Sequence, residues 1–98
     1  MAWFKIHRVV GDSMSPTIPS GTYVLSKGFL LSKLIQGDIV IVRHDKYQTI
    51  VKRIKDVRND QFYLVGDNPM STTSQDIGWV SRQNLIGKVI WIVSNSSQ

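Results

Sequence analysis

The sequence predicts a mainly β fold, a small coiled antiparallel β-domain, and three observations lead to this prediction. Apolar residues recur in short runs without helical spacing. Turn-forming stretches separate the runs, at Pro19-Ser20-Gly21, Arg58-Asn59-Asp60 and Gly66-Asp67-Asn68-Pro69. The chain has 98 residues, 42% of them hydrophobic, which is enough for one modest core. We therefore expect a single domain over residues 1–98.

Each apolar run predicts a strand, and helix is almost absent. Residues 39–42 are continuously apolar and β-branched, which predicts a central strand covered on both faces. Residues 48–57 and 62–65 flank Asn59-Asp60 and predict a hairpin. Residues 29–34 fit either one helical turn or a loop. The full set of candidate strands is 6–10, 22–26, 38–43, 48–57, 62–65 and 87–93, followed by a frayed polar tail at 94–98.

Composition excludes several classes of function. The chain has no cysteine, so disulfides, thiolate metal sites and a thiol nucleophile are impossible. Its formal net charge is +5, but the basic residues are scattered and form no block of like charge, so we expect no nucleic-acid partner. No apolar run approaches the roughly 18 residues that a membrane-spanning helix needs.

The N-terminal residues do not resemble a secretory signal, because their apolar residues precede the positive charge and the stretch is too short. This favours a cytoplasmic location. Trp3 and Phe4 could lie in a membrane interface, but the pattern favours packing of an N-terminal strand into the core.

The stretch Gly11-Asp12-Ser13-Met14-Ser15-Pro16-Thr17 carries a serine in a tight loop. A nucleophilic serine needs a neighbouring base that accepts its proton. His7 and His44 lie in poor contexts for that task, whereas Lys52 lies in an apolar run, so the pattern indicates a Ser-Lys pair. Taken alone, Ser13 also fits ordinary turn chemistry beside glycine and proline.

Strand alternation makes Lys52 a candidate base. In an extended segment Ile50, Lys52 and Ile54 point to one face. Apolar neighbours penalise the ammonium form, and lowering a lysine pKa from about 10.4 to roughly 7.5 requires burial. Arg53 is excluded because guanidinium does not lose its proton in proteins. The strand alone leaves a second interpretation open, an edge lysine whose stem covers apolar surface while its head reaches water.

Together these stretches resemble the conserved boxes of type I signal peptidases and their relatives. The Ser13 loop resembles the nucleophile box, in which Ser-Met is followed one residue later by Pro-Thr. The other matching stretches keep the family's order and are Gly37-Asp38-Ile39-Val40, Val51-Lys52-Arg53-Ile54, Gly66-Asp67-Asn68 with residues 71–78, and Asn84-Leu85-Ile86-Gly87-Lys88-Val89. The resemblance implies the β-fold of the signal-peptidase and repressor-protease catalytic domains.

The resemblance also implies a serine endopeptidase that needs no metal or organic cofactor. Lys52 would remove the Ser13 proton, and the Ser13 backbone N–H would be the main oxyanion donor. Some relatives carry a serine hydroxyl two residues before the nucleophile, where this chain has Gly11. Ser71 is the hydroxyl that orients Lys52 by similarity to the last box. That box departs from its relatives, and counting forward from Gly66 selects Thr72 instead.

Within this group, the chain resembles the small bacterial proteases that mature nickel-containing superoxide dismutase, because a proline follows Gly66-Asp67-Asn68. This implies a precursor protein as partner, bound as an extended peptide and cleaved at an N-terminal extension. Asp67 and Asn68 are expected to hold the turn. Met14 is a candidate for lining a substrate pocket beside Ser13 that favours small side chains.

Other interpretations fit less well. Esterases and chymotrypsin-like proteases share the Gly-Asp-Ser start, but each needs a catalytic histidine, and His44 beside Asp45 fits a hairpin edge. The spacing of the two histidines gives no metal site. A self-cleaving repressor shares the chemistry, but the short stretch before Ser13 favours cleavage in trans. An inactive β-module that binds peptides by strand addition is also possible.

Overall fold

The computed structural model describes residues 3–11, 13–28, 33–43, 50–68 and 78–93. Within these residues seven strands form one sheet in the order β1-β2-β7-β3-β4-β5-β6, and every neighbouring pair is antiparallel. A short 3₁₀ turn, Arg82–Asn84, precedes the last strand. The strands are β1 Phe4–Arg8, β2 Tyr23–Lys27, β3 Ile39–Val42, β4 Ile50–Arg58, β5 Gln61–Val65, β6 Gly78–Ser81 and β7 Leu85–Val93.

The predicted fold class is confirmed, and so are the six predicted strands, with bounds shifted by a few residues. β3 is the middle strand of the seven, as its continuous apolar run predicted. β6 was not predicted from the sequence. This strand has four residues, begins with a glycine and lies at one edge of the sheet, so it lacks the alternation that marks longer strands.

The predicted hairpin forms between β4 and β5. Its register pairs Arg53 with Val65 and Ile54 with Leu64. The connecting residues Asn59 and Asp60 have φ of 50° and 62°, the left-handed conformation that a two-residue hairpin turn requires. On its other side β4 pairs with β3, so Lys52 lies opposite Val40 in the interior of the sheet.

Two apolar clusters pack against the sheet, and adjacent residues of β3 and β4 contribute to different clusters. The first cluster contains Leu34, Val40, Val42, Ile54, Phe62, Leu64, Val80 and Leu85. The second cluster contains Val9, Met14, Ile18, Val24, Ile41 and Val51. Because neighbouring side chains on a strand point to opposite faces, the sheet is covered on both faces around β3 and β4.

The N-terminal strand corrects one expectation. Trp3 and Phe4, expected to pack in the core, are largely exposed, and Ile6 is exposed as well. β1 is an edge strand whose alternate residues point away from both clusters. No helix in the described ranges is long and apolar enough to cross a membrane. Residues 29–32, within the stretch left open between helical turn and loop, and the tail 94–98 lie outside the described residues.

Candidate active site

The loop that carries Ser13 connects β1 to β2 and is held at both ends. The Val9 N–H donates to the Thr22 carbonyl at 2.8 Å, and the Gly21 N–H donates to the Val9 carbonyl at 2.7 Å. Inside the loop, the Ile18 N–H donates to the Met14 carbonyl at 2.8 Å. These backbone bonds fix the loop path on which the Ser13 hydroxyl is presented.

Met14 anchors this loop in the protein interior. Its side chain is 1% exposed and packs in the second cluster. Met14 stays a candidate for lining a pocket beside Ser13, and its packing with core residues also gives it a structural role. The reason is the apolar neighbourhood that Ile18 and Val24 provide once the loop folds onto the sheet.

Ser13 lies against the chain segment that leaves β5. The Asn68 N–H donates to the Ser13 carbonyl at 2.9 Å. A side chain at Gly66 would overlap this same carbonyl oxygen, so the two backbones approach as closely as only glycine permits. Ser13 itself is partly exposed.

Lys52 lies in the interior of the sheet, between Ile50 and Ile54 on one face of β4. The residue is 3% exposed, and burial lowers the pKa of its ammonium group below the ordinary value. This is the environment that strand alternation predicted, and it disfavours the alternative of an edge lysine reaching into water.

Two independent contacts bring the Ser13 loop to the Lys52 strand. The β4–β5 register ends with Arg53 opposite Val65, and Lys52 and Gly66 are the residues next to this last pair along the chain. Gly66 is the residue against which Ser13 packs. In addition, the neighbours Met14 and Val51 belong to the same apolar cluster. The Ser13 loop therefore packs against the segment that follows β5 and against the cluster that contains Val51, the neighbour of Lys52.

An ion pair beside this region was not predicted from the sequence. Asp67 accepts two hydrogen bonds from Arg53, from Nε at 2.8 Å and from Nη2 at 2.7 Å. Arg53 Nη1 also donates to the Gly37 carbonyl at 2.8 Å. A hydrogen bond from Thr17 reaches Asp67 as well, and Arg53 and Thr17 together hold the pKa of this carboxyl below its usual range.

We call Arg53, Asp67 and Thr17 the clamp. It joins β4, the segment after β5 and the Ser13 loop around a bidentate pair, a strong form of hydrogen bonding. Asp67 was expected to hold its own turn, whereas its carboxylate instead binds a residue of another strand. The sequence shows that Arg53 follows Lys52 and that Asp67 follows Gly66. Only the folded structure shows that these two side chains form an ion pair.

A serine outside the predicted site lies beside a histidine. His7 Nε2 and Ser26 Oγ are 3.0 Å apart, and Ser26 Oγ donates to the Lys5 carbonyl at 3.3 Å. With the hydroxyl proton directed to that carbonyl, the contact with His7 is a hydrogen bond donated by the tautomer that is protonated at Nε2. Ser26 is also 3% exposed, so a substrate cannot reach it. This pair is structural.

Gly11 has φ of 104°, a left-handed conformation that favours glycine. Its N–H donates to Ser20 Oγ at 3.1 Å. Glycine therefore suits the backbone of this chain at the position where some relatives of the resembled family carry a serine. Ser71, Thr72 and His44 lie outside the described residues.

The described residues contain no group of three or more histidine, aspartate or glutamate side chains that could hold a metal ion. Comparison with known proteins gave one family match. The family model described as Peptidase S24-like matches residues 4–90, which include Ser13, Lys52 and the clamp. A search of curated proteins found no match.

Proposed function

The chain belongs to the Peptidase S24-like family, a family of serine peptidases, and from this we propose that it is an endopeptidase with a Ser13-Lys52 dyad. The observation that carries the proposal is the buried lysine. Lys52 is enclosed in the sheet with a lowered pKa, and the loop bearing the partly exposed Ser13 packs on the adjoining segment at Gly66.

In the proposed reaction, neutral Lys52 accepts the proton of the Ser13 hydroxyl as Ser13 Oγ attacks a peptide carbonyl carbon. The Ser13 backbone N–H stabilises the oxyanion that forms. The resulting ammonium group of Lys52 then donates its proton to the departing amine as the peptide C–N bond breaks, which leaves an acyl-enzyme. Water attacks the ester carbonyl as Lys52 accepts its proton, the acyl C–Oγ bond then breaks, and Lys52 returns that proton to Ser13 Oγ as the carboxylic product leaves.

Ser71 is the residue that we propose to orient the Lys52 amine, with Thr72 as its alternative. The support is the similarity of residues 66–78 to the last box of the signal-peptidase relatives. A hydroxyl that accepts a hydrogen bond from the amine would direct the nitrogen lone pair toward Ser13. A test compares kcat for Ser71→Ala with that for Thr72→Ala, and the orienting residue is the one whose loss lowers kcat.

The proposed substrate is a precursor protein with an N-terminal extension, specifically that of nickel-containing superoxide dismutase. The support is the Gly66-Asp67-Asn68-Pro69 stretch, in which a proline follows the Gly-Asp-Asn. The scissile segment would bind in extended form, since strand addition satisfies its backbone groups.

The first experiment measures cleavage of a dismutase precursor and of a signal-peptide substrate by the parent protein, Ser13→Ala and Lys52→Met. Methionine matches the length of the lysine stem without an amine, so the strand packing is kept. We expect both variants to lose turnover while remaining folded, with a loss of at least about 10³-fold. Ser26→Ala is the matched control, because Ser26 is a buried serine beside His7 and outside the candidate site, so this variant is expected to cleave normally.

Turnover by Ser13→Ala or Lys52→Met at the parent rate would exclude the dyad. The two substrates test the mechanism and the substrate separately. Cleavage of the signal peptide alone would support the Ser13-Lys52 mechanism and exclude the dismutase precursor as the substrate. Incubation of the protein without substrate, followed by intact-mass measurement, tests self-cleavage. A shortened chain whose yield is independent of protein concentration would indicate the cis reaction of self-cleaving repressors.

A further inference from the structure

One sheet face lies over β1, β2 and β7 and is covered by neither apolar cluster. Because directly paired residues of antiparallel strands point to the same side, the register defines this face as three cross-strand rows. We call it the outer face. Its rows are Phe4, Lys27 and Lys88; Ile6, Leu25 and Trp91; and Arg8, Tyr23 and Val93.

The outer face is both apolar and exposed. Ile6 is 64% exposed and Trp91 is 66% exposed, although they flank Leu25 in the central row. Phe4, Tyr23 and Val93 are exposed as well. Isolated apolar residues on a surface are ordinary, but a contiguous set across three strands indicates an interaction surface.

The charged residues of β1, β2 and β7 are all basic. The sequences of β1, β2 and β7 contain Lys5, Arg8, Lys27 and Lys88, and no acidic residue. Lys88 is paired with Asp38 at 3.5 Å. Arg8 and Lys27 form no ion pair within the described part of the chain, so two uncompensated cations border the apolar rows.

We propose that the outer face binds the surface of an anionic lipid bilayer. Tryptophan and tyrosine suit the boundary between headgroups and acyl chains because each has an apolar ring and a polar tip. Arg8 at one corner of the face and Lys27 in the middle of the opposite row are placed to meet anionic headgroups, and a bilayer surface is broad enough to contact all three rows.

A second copy of the chain fits this face poorly. A two-fold contact would set Arg8 and Lys27 of each copy against the same cations of the other, with no acid on these strands to compensate. Three strands of five residues cover about 15 × 17 Å, or about 250 Å². A stable protein interface buries about 800 Å² on each partner.

The face also connects to the candidate active site. The row of Phe4, Lys27 and Lys88 continues through Val40 to Lys52 in the sheet register. Three strand steps separate β2 from β4, and a twist of about 20–25° per step turns the sheet normal by roughly 60–75°. When the outer face lies on the bilayer, the part of the sheet that carries Lys52 is therefore turned sideways and does not face the lipid. This consequence rests on the proposed function, whereas the lipid-binding surface does not.

The test uses the Ser13→Ala protein, so that its result is independent of catalysis. Co-flotation is measured with vesicles of phosphatidylglycerol and phosphatidylcholine and with vesicles of phosphatidylcholine alone. We expect binding to the anionic vesicles, and a loss of about tenfold or more in Trp91→Ser and in Ile6→Thr. Ile6→Thr keeps a β-branched residue on a different strand, so it tests the face even where Trp91→Ser fails to fold. Trp79→Ser is the matched control, because Trp79 is an exposed tryptophan on β6, outside the outer face.

The cationic part is tested by Lys27→Gln, which should weaken binding to the anionic vesicles only. Salt should act similarly, because raising it from 0.1 to 1 M shortens the screening length from about 10 to about 3 Å. The proposal is overturned where the parent does not float with anionic vesicles, or where Trp79→Ser weakens binding as much as Trp91→Ser. A dimer in sedimentation equilibrium that Trp91→Ser abolishes, without vesicle binding, would assign the face to a second copy.

Discussion

Lys52 alternates with Ile50 and Ile54 on one face of β4. Burial lowers the pKa of its ammonium group. Two features bury Lys52, its alternation with isoleucines along β4 and its pairing with Val40 of β3. Desolvation makes the ammonium form costly, so the neutral amine that a general base requires becomes available at a lower pH.

The pH dependence of kcat/KM tests this effect. Lys52 is a base only when unprotonated, so activity should rise with pH through the folded-state pKa, which lies below the ordinary 10.5. The measurement is a kcat/KM profile on a peptide substrate over the range in which the fold is stable. A profile without a rising limb below pH 10.5 would contradict the role of Lys52.

Gly66 offers a second test at the residue scale. Its Cα faces the Ser13 carbonyl so closely that the methyl group of alanine would overlap that oxygen. Gly66→Ala should displace Ser13, and a shift of about 1 Å at a reacting group can lower kcat/KM by about 10²-fold. Gly78→Ala is the control, since no atom of the described residues crowds that position, and its positive φ should cost stability without affecting turnover. Equal activity of Gly66→Ala and the parent would show that Ser13 position is not critical.

At the scale of elements, the clamp explains how three separate segments of the chain keep a fixed relation. Arg53 lies on β4, Asp67 follows β5 and Thr17 belongs to the loop of Ser13. Arg53 also binds the carbonyl of Gly37, immediately before β3. The four stretches between residues 11 and 68 that resemble signal-peptidase boxes therefore meet at one ion pair. Two of them supply Arg53 and Asp67, and the other two supply Thr17 and the Gly37 carbonyl.

Asp67→Asn should reduce both stability and activity. Hydrogen bonds to charged groups contribute about 1.5–3 kcal/mol each in favourable cases, and partial exposure of Arg53 reduces this, so we expect a loss of about 1–2 kcal/mol in unfolding free energy. Asp56→Asn breaks the exposed pair with Arg58 and is the control, with an effect near zero. Denaturant unfolding of both variants at neutral pH measures the difference.

The clamp also sets a pH window for stability. The pKa of Asp67 is lower in the folded protein than its ordinary 3.8, so its contribution is complete above 3.8 and is lost as pH falls through the folded-state value. The stability difference between the parent and Asp67→Asn should therefore shrink as pH falls below 3.8. A difference that stays constant down to acid unfolding would remove the ionic explanation.

Strand prediction failed where local pattern is weakest. The long strand β4 and the apolar strand β3 were predicted from alternation and β-branching, because each has several residues that repeat one environment. β6 has four residues at a sheet edge, and it is stabilised by pairing with β5 and by the packing of Val80 in the first cluster. Those contacts exist only after the chain has folded.

At the scale of the whole molecule, one sheet serves two cores on opposite faces. Val40 packs in the first cluster while its neighbour Ile41 packs in the second, so the centre of the sheet is covered on both sides. Towards β1 the first face is no longer covered and becomes the outer face, with Ile6 and Trp91 exposed. Twist between neighbouring strands allows a single sheet to change from interior to surface in this way.

The sequence by itself determined the fold class, the hairpin and the apolar setting of Lys52, because all three depend on alternation and turn residues within short segments. Tertiary structure alone decided the rest. The approach of Ser13 to Gly66, the clamp between Arg53 and Asp67, and the exposure of Phe4 each join segments that are distant along the chain. Alternation states that two faces of a strand differ, but which face is covered depends on what the remainder of the chain places against it.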